Sequence, residues 1–163
     1  MFVTPLKSIM QTKDKRLFDK ESVEQLSIRI RRNAIHMTNS GKSSHIGSVL
    51  SMADIMAVLY GSVLKYKKDD PKWPKRDRFI LSKGHAGAGV YSTLAEVGFI
   101  AIEKLKTHYQ DGSYLSGHVS HKGIPGVELS TGSLGHGLGF GCGISYGNKL
   151  NKKKDQTFVV ISD

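Results

Sequence analysis

Three histidines stand in the same kind of place in this sequence. His45 follows Ser43-Ser44 and precedes Ile46-Gly47; His85 lies in Ser-Lys-Gly-His-Ala; His118 lies in Ser-Gly-His-Val. Each falls at a break between regular elements and is flanked by small residues; any one alone reads as a polar loop histidine, whereas three together with a glycine-rich turn and Asp163 point to a ligand. Neutral imidazoles shuttle protons and bond phosphate or sugar hydroxyls near pH 7. A glycine-rich run, Ser130–Gly143, places six glycines in 14 residues. In a helix each would cost about 1 kcal/mol relative to Ala. Close approach of this backbone, to another helix or to a ligand, accounts for such a run. Two readings stand: glycines that serve helix packing, and a ligand-contacting turn that leads into a packed helix. Asp163 follows the apolar run Thr157–Ser162. Ligands of open α/β sheets sit beyond the carboxyl ends of strands, which makes this carboxylate a candidate ligand-binding group.

Other patterns fail on spacing. Gly41-Lys42-Ser43 resembles the end of a P-loop, but position 36 is His36 where that motif needs glycine, and a helix precedes it. Ser130–Gly143 contains no Gly-x-Gly-x-x-Gly in any register, which excludes a dinucleotide fingerprint. His118 and His121 form a His-x-x-His pair that could join His108 and Cys142 around zinc. No Cys-x-x-Cys or carboxylate-rich framework supports that site, and His108 and His121 read as surface histidines. Asn148–Asp155, Lys65–Lys68 and Lys72–Arg78 read as solvated basic stretches. Tyr66 and Trp73 fall within these stretches, but aromatics do not alternate with the lysines in a repeated stacking pattern, which argues against nucleic acid as a partner.

The elements that must position these residues follow from periodicity. A Ser22–Gln25 capping box opens a helix with apolar residues at Val23, Leu26, Ile30, Ala34 and Met37, and Gly41 stops it. A second box, Ser51 to Asp54, opens an apolar helix through Leu64. Arg78–Ser82 reads as a short buried strand, Ala86–Val97 as a helix ending at Gly98, and Ile102–His108 as a shorter helix. Tyr109–Thr131 has no period, and loops of that length are usually functional or disordered. Thr157–Ser162 fits an interior parallel strand. Helices alternating with short apolar strands predict an α/β fold, a layered parallel sheet with helices on both faces. Residues 1–20 read as an N-terminal arm and 21–163 as one domain.

Composition agrees with a globular chain. Of 163 residues, 39% are hydrophobic and 23% charged, which excludes a disordered chain. One cysteine excludes a disulfide framework. No apolar run approaches the roughly 20 residues of a membrane helix, and no signal-peptide core is visible near Met1; the expected compartment is the cytoplasm. The net charge of +10 is uneven: residues 1–82 hold 16 Lys/Arg against 8 Asp/Glu, whereas residues 83–148 hold 4 of each. Fifteen of the 18 glycines lie beyond position 82. A basic front half suits nucleic acid or phosphorylated substrates equally.

In order along the chain, the quoted pieces resemble the N-terminal, diphosphate-binding domain of transketolase, and most of all the short N-terminal subunit of split bacterial and archaeal transketolases. The matching segments are Ser43–Gly47 with Leu50–Ile55, Asp77–His85, Ser116–His118, Gly126–Gly137 and Val160–Asp163, together covering about residues 22–163. The block Gly-Val-Glu-Leu-Ser-Thr-Gly-Ser-Leu-Gly is the most specific. Three positions depart mildly from the family pattern: Ser44 where Gly is usual, Ile46 where Pro is common, and Ser162 where Gly precedes the metal Asp.

The resemblance implies thiamin diphosphate with Mg²⁺ or Ca²⁺, and transfer of a two-carbon ketol unit between sugar phosphates. By position, His45 and His118 would face the reacting carbonyl and hydroxyls, and His85 would contact the diphosphate. Gly132, Ser133 and Leu134 would approach the cofactor rings, and Asp163 would be a metal ligand. A pyrimidine-binding C-terminal subunit or domain would complete the site, in a dimer or hetero-oligomer. The rest of the metal motif would follow Asp163, so the chain reads as a truncated domain that is inactive alone. Two other readings remain: a related thiamin-dependent transferase such as 1-deoxyxylulose-5-phosphate synthase, and a non-catalytic remnant that binds a partner or nucleic acid.

Overall fold

The apolar stripe between positions 23 and 37 folds as its spacing predicts. A computed structural model describes residues 20–162, and in it α1 (Lys20–Gly41) buries Val23, Leu26, Ile30, Ala34 and Met37 on one face. Its start differs from expectation, because Lys20 already opens the helix and Ser22 lies inside it rather than at a cap. The expected arm otherwise falls outside the described residues, as does Asp163.

The second capping box is a correction. The chain forms α2 (Ile46–Leu50), breaks at Ser51 and Met52, and resumes as α3 (Ala53–Val58), which runs into a π-helical turn at Leu59–Val63. Ser51 ends α2 instead of opening α3. Its hydroxyl donates to the Ser48 carbonyl and accepts from the buried Lys83 ammonium, both at 2.9 Å. A tertiary partner thus takes the side chain that a local cap would have used.

Two strands pair in parallel, β1 (Arg78–Leu81) with β2 (Thr157–Val160), in the register Arg78 to Thr157 through Leu81 to Val160. The buried Asp77 carboxylate fixes their entrance, accepting from the backbone N–H of Lys65 at 2.9 Å and of Gln156 at 2.8 Å. Side chains alternate across a strand. Phe79 and Leu81 accordingly join the core shared by α1, α3 and α4, while Ile80 meets α5 on the opposite face. Helices therefore lie on both faces of the sheet. β2 is half-buried along its length, less enclosed than the interior strand expected for it.

Beyond β1, a 3₁₀ turn (Gly84–Ala86) leads into α4 (Gly87–Glu96), buried from Gly87 to Ala95 and packed against α1. It ends before Gly98, whose φ of 87° is the turn that glycine permits. Ile102–Thr107 winds as 3₁₀ rather than α-helix, and residues 109–131 are irregular, as their lack of period predicts. The glycine-rich run then enters α5 (His136–Leu150). A Cβ on Gly137 would lie 2.8 Å from the Ser82 Cβ, and one on Gly141 would collide with Val159, so these two glycines let α5 sit directly on the sheet. Packing explains them; it does not explain Gly132 or Gly135.

Candidate functional site

All three histidines converge beyond the carboxyl end of β1. The rings of His45 and His85 lie 5.0 Å apart between centroids, and those of His45 and His118 lie 6.3 Å apart. Three separate elements bring them there. His45 precedes α2 with φ 70° and ψ 20°, a left-handed backbone that residues other than glycine seldom adopt. His85 sits in the 3₁₀ turn after β1. His118 belongs to the irregular segment, which is anchored by Val119 N–H donating to the Gly84 carbonyl at 2.9 Å.

The floor of the site is buried and its mouth is open. Ser82, Lys83, Gly84 and Ala86 are buried, whereas His45, His118, Gly132, Ser133 and Leu134 line the mouth, and His85 is intermediate. Burial, then the nearby His45, Lys83 and His118, lowers the pKa of His85. Its Nε2 meets the Ser48 hydroxyl at 2.8 Å, and Lys83 Nζ donates to the Ser48 carbonyl at 2.9 Å. Together these contacts tie α2, and with it His45, to the end of β1. The phenol of Tyr91, buried in α4, donates to the His118 carbonyl at 2.9 Å and accepts from Ser120 N–H at 3.0 Å. Neither Lys83 nor Tyr91 stands out as a site residue in the sequence. A lysine directly after an apolar strand is a readable signal; a tyrosine within an apolar helix is not.

The glycine-rich turn forms an arch over the same strand end. Thr131 Oγ1 donates to the Leu81 carbonyl at 2.5 Å, and Gly137 N–H donates to Ser82 Oγ at 3.0 Å. Between these anchors Gly132–His136 is exposed. A Cβ on Gly132 would meet only the His118 ring, at 3.7 Å, so open space lies in front of this backbone and beside the imidazole. Gly135 takes φ 81° to start α5.

The zinc alternative does not survive. His121 is exposed and its Nδ1 pairs with Ser130 Oγ at 2.7 Å, and Cys142 is exposed on α5. Among the described residues no three His, Cys, Asp or Glu side chains are grouped to hold a metal ion. His108 is a second correction: far from lying on the surface, it is 2% exposed.

Comparison with known proteins identifies this architecture. Residues 22–161 match the family model described as "Transketolase, thiamine diphosphate binding domain". The chain belongs to this family. It is 38% identical over 143 residues to one subunit of the apulose-4-phosphate transketolase from Phocaeicola vulgatus, covering 88% of this chain and 50% of that protein. It is likewise 38% identical over 144 residues to human transketolase, covering 88% of this chain and 23% of that one. Among solved structures, transketolase from Leishmania mexicana superposes with a TM-score of 0.81 at 35% identity, over 87% of this chain and 23% of that one. The chain thus spans half the length of the bacterial subunit. A transketolase-type thiamine diphosphate-binding fold accounts for the parallel pair and the helices on both faces. Among the described residues no helix is long and apolar enough to cross a membrane.

Proposed function

We propose that this chain supplies the diphosphate side of a transketolase, acting in the cytoplasm with a C-terminal subunit or domain that completes the site, in a dimer or hetero-oligomer. The convergence of His45, His85 and His118 beside the open face of Gly132 carries the reading. The donor set fits thiamine diphosphate: imidazoles that can donate to phosphate and hydroxyl oxygens stand next to a backbone with no Cβ to block a ring. His85 would hold the diphosphate, and Gly132, Ser133 and Leu134 would line the rings. By its position in the family resemblance, Asp163 would be a ligand to the metal, Mg²⁺ or Ca²⁺. When bound, the cofactor supplies a nucleophilic carbon and an electron sink for cleaving and forming C–C bonds.

The chain's own contribution is proton management and orientation. His45 and His118 flank the open space from two separate segments of the chain, so one imidazole can take a proton from a sugar hydroxyl while the other donates toward the carbonyl oxygen. His85, pressed toward its neutral form by burial, can donate a single hydrogen bond from its ring N–H to an anionic oxygen without bringing a charge of its own. The substrates would be a ketose phosphate donor and an aldose phosphate acceptor.

The test combines binding and turnover. Calorimetric titration of a complete transketolase assembly that carries this chain, with thiamine diphosphate and Mg²⁺, should show binding that Gly132→Leu weakens about tenfold or more by filling the open face. With xylulose 5-phosphate and ribose 5-phosphate in a coupled assay, the chain alone should be silent. A complete transketolase assembly that carries this chain should give turnover, reduced about 10²- to 10⁴-fold by His45→Ala or His118→Ala. Turnover by the pure chain, or full activity of both histidine variants, would overturn the reading.

A further inference from the structure

The chain buries one histidine that the proposed chemistry does not use. His108 ends the 3₁₀ helix Ile102–Thr107 and lies beneath the site, its ring 6.0 Å from that of Tyr91 and 6.1 Å from that of Tyr109. Both of its ring nitrogens are engaged. Nδ1 lies 3.2 Å from the Leu115 carbonyl and Nε2 lies 3.3 Å from Ser43 Oγ. A carbonyl only accepts, so Nδ1 carries the proton; the neutral ring then accepts at Nε2 from the Ser43 hydroxyl. Burial lowers the pKa of His108, which favours the neutral ring over the cation.

The two partners occupy telling positions. Ser43 stands two residues before His45, and Leu115 stands three before His118. Backbone packing follows the same route. Tyr109 N–H donates to the Leu115 carbonyl at 2.9 Å, giving that oxygen a second donor. A Cβ on Gly41 would lie 2.6 Å from the His108 carbonyl oxygen, and one on Gly117 would lie 2.6 Å from the Tyr109 ring. Gly41 leads into the His45 loop and Gly117 precedes His118, so the dipeptide His108-Tyr109 is wedged between the roots of both loops.

We infer that His108 is a positioning residue that ties the His45 loop to the His118 loop and sets the spacing of the two exposed imidazoles. Its relevance to turnover rests on the reading of that pair as substrate-facing. Its physical role does not. A side chain that bonds to only one loop, or that packs without bonding, would leave the two histidines to move independently.

Native-state amide hydrogen exchange on the full chain tests this directly. Two amides report the loops: Val49, whose N–H donates to the His45 carbonyl, and Val119, which follows His118 and donates to Gly84. His108→Phe keeps a ring and removes both bonds. Exchange at Val49 and Val119 should accelerate about tenfold beyond any acceleration in α4, the effect of losing hydrogen bonds of ordinary strength. Leu94→Ala, which weakens the core without removing a side-chain hydrogen bond to either loop, should show no such excess. Ser43→Ala cuts one bond only, so Val49 should accelerate while Val119 holds its wild-type rate. That variant decides the matter should His108→Phe fail to fold. An excess confined to one loop or absent in His108→Phe, or an unchanged Val49 in Ser43→Ala, would overturn the inference. Turnover of a complete transketolase assembly that carries this chain runs alongside: full activity of both His45→Ala and His118→Ala would refute the proposed function and leave the exchange result to judge His108.

Discussion

The helical side of the sheet and the α5 side are built on opposite terms. On one side, α1, α3 and α4 enclose Phe79 and Leu81, and residues such as Ile30, Ala34, Met56, Tyr91 and Leu94 are sealed from solvent. On the other, α5 touches the sheet through Gly137 and Gly141 and leaves Leu138, Phe140, Tyr146 and Leu150 exposed. Side-chain volume holds the first layer; the absence of side chains holds the second. The site lies where the two meet, with two of its histidines on loops of the enclosed half and its glycine arch at the start of the open one.

The largest test of this division is a cavity. Leu94→Ala should cost about 3 kcal/mol, because the removed methyl groups leave a void among rigid neighbours. Leu138→Ala on the exposed side of α5 should change stability by no more than about 0.5 kcal/mol. Urea unfolding of both variants checks the pair, and equal losses would erase the distinction. Overpacking comes next. Gly141→Ala drives a methyl group into Val159 and should destabilise by roughly 1–3 kcal/mol. Gly143 has nothing within 4 Å of its added Cβ, so Gly143→Ala should stabilise by about 0.5–1 kcal/mol through helix propensity. Opposite signs two residues apart in one helix would sharpen the claim that α5 is packed on one side only.

Acid should act on the enclosed half. His85 and His108 both have lowered pKa values, each chiefly through burial. Above the ordinary histidine pKa of about 6.5 they are neutral in folded and unfolded chains, and they contribute no pH dependence. Below it the unfolded chain takes up protons that the folded chain refuses, so stability falls as pH drops and levels off only beneath the lowered folded values. Unfolding midpoints measured between pH 7 and pH 5 should decline, and His108→Phe should flatten the decline. A wild-type profile that is flat over this range would contradict the burial of these rings as neutral groups.

Local pattern reveals much of this molecule, and its lapses share one cause. The strands at Arg78–Leu81 and Thr157–Val160, the stop at Gly41 and the end of α4 before Gly98 all follow from short-range signals: apolar runs, period and glycine. The breaks that flank His45, His85 and His118 are likewise visible, and the fold gathers the three rings. Ser51 departs from its capping pattern because its decisive partner, Lys83, lies 32 residues away. His108 departs from the surface reading because its partners, Ser43 and the Leu115 carbonyl, belong to loops that only the tertiary fold places on either side of it. A polar side chain whose partner is remote carries no periodic signature, so its burial is invisible until the chain is folded.

The smallest expected effect lies on the rim of the enclosed half, where Arg31 of α1 meets Asp54 of α3. The pair is bidentate, with N···O distances of 2.9 and 2.6 Å, but 73% of the Asp54 side chain is exposed. The hydrogen bonds from Arg31 hold the Asp54 carboxyl below its usual pKa. The sign follows: its contribution is complete above the unfolded carboxylate pKa and is lost as pH falls through the lowered folded value. Water and salt screen so exposed a pair, so Arg31→Ala should cost no more than about 0.5 kcal/mol near pH 7 and still less in roughly 1 M NaCl. Urea titrations at both salt concentrations measure it. A loss comparable to Leu94→Ala would mean that α1 and α3 are joined by charge at their edge as firmly as by the apolar stripe beneath it, and the enclosed half would then owe its rigidity to more than packing.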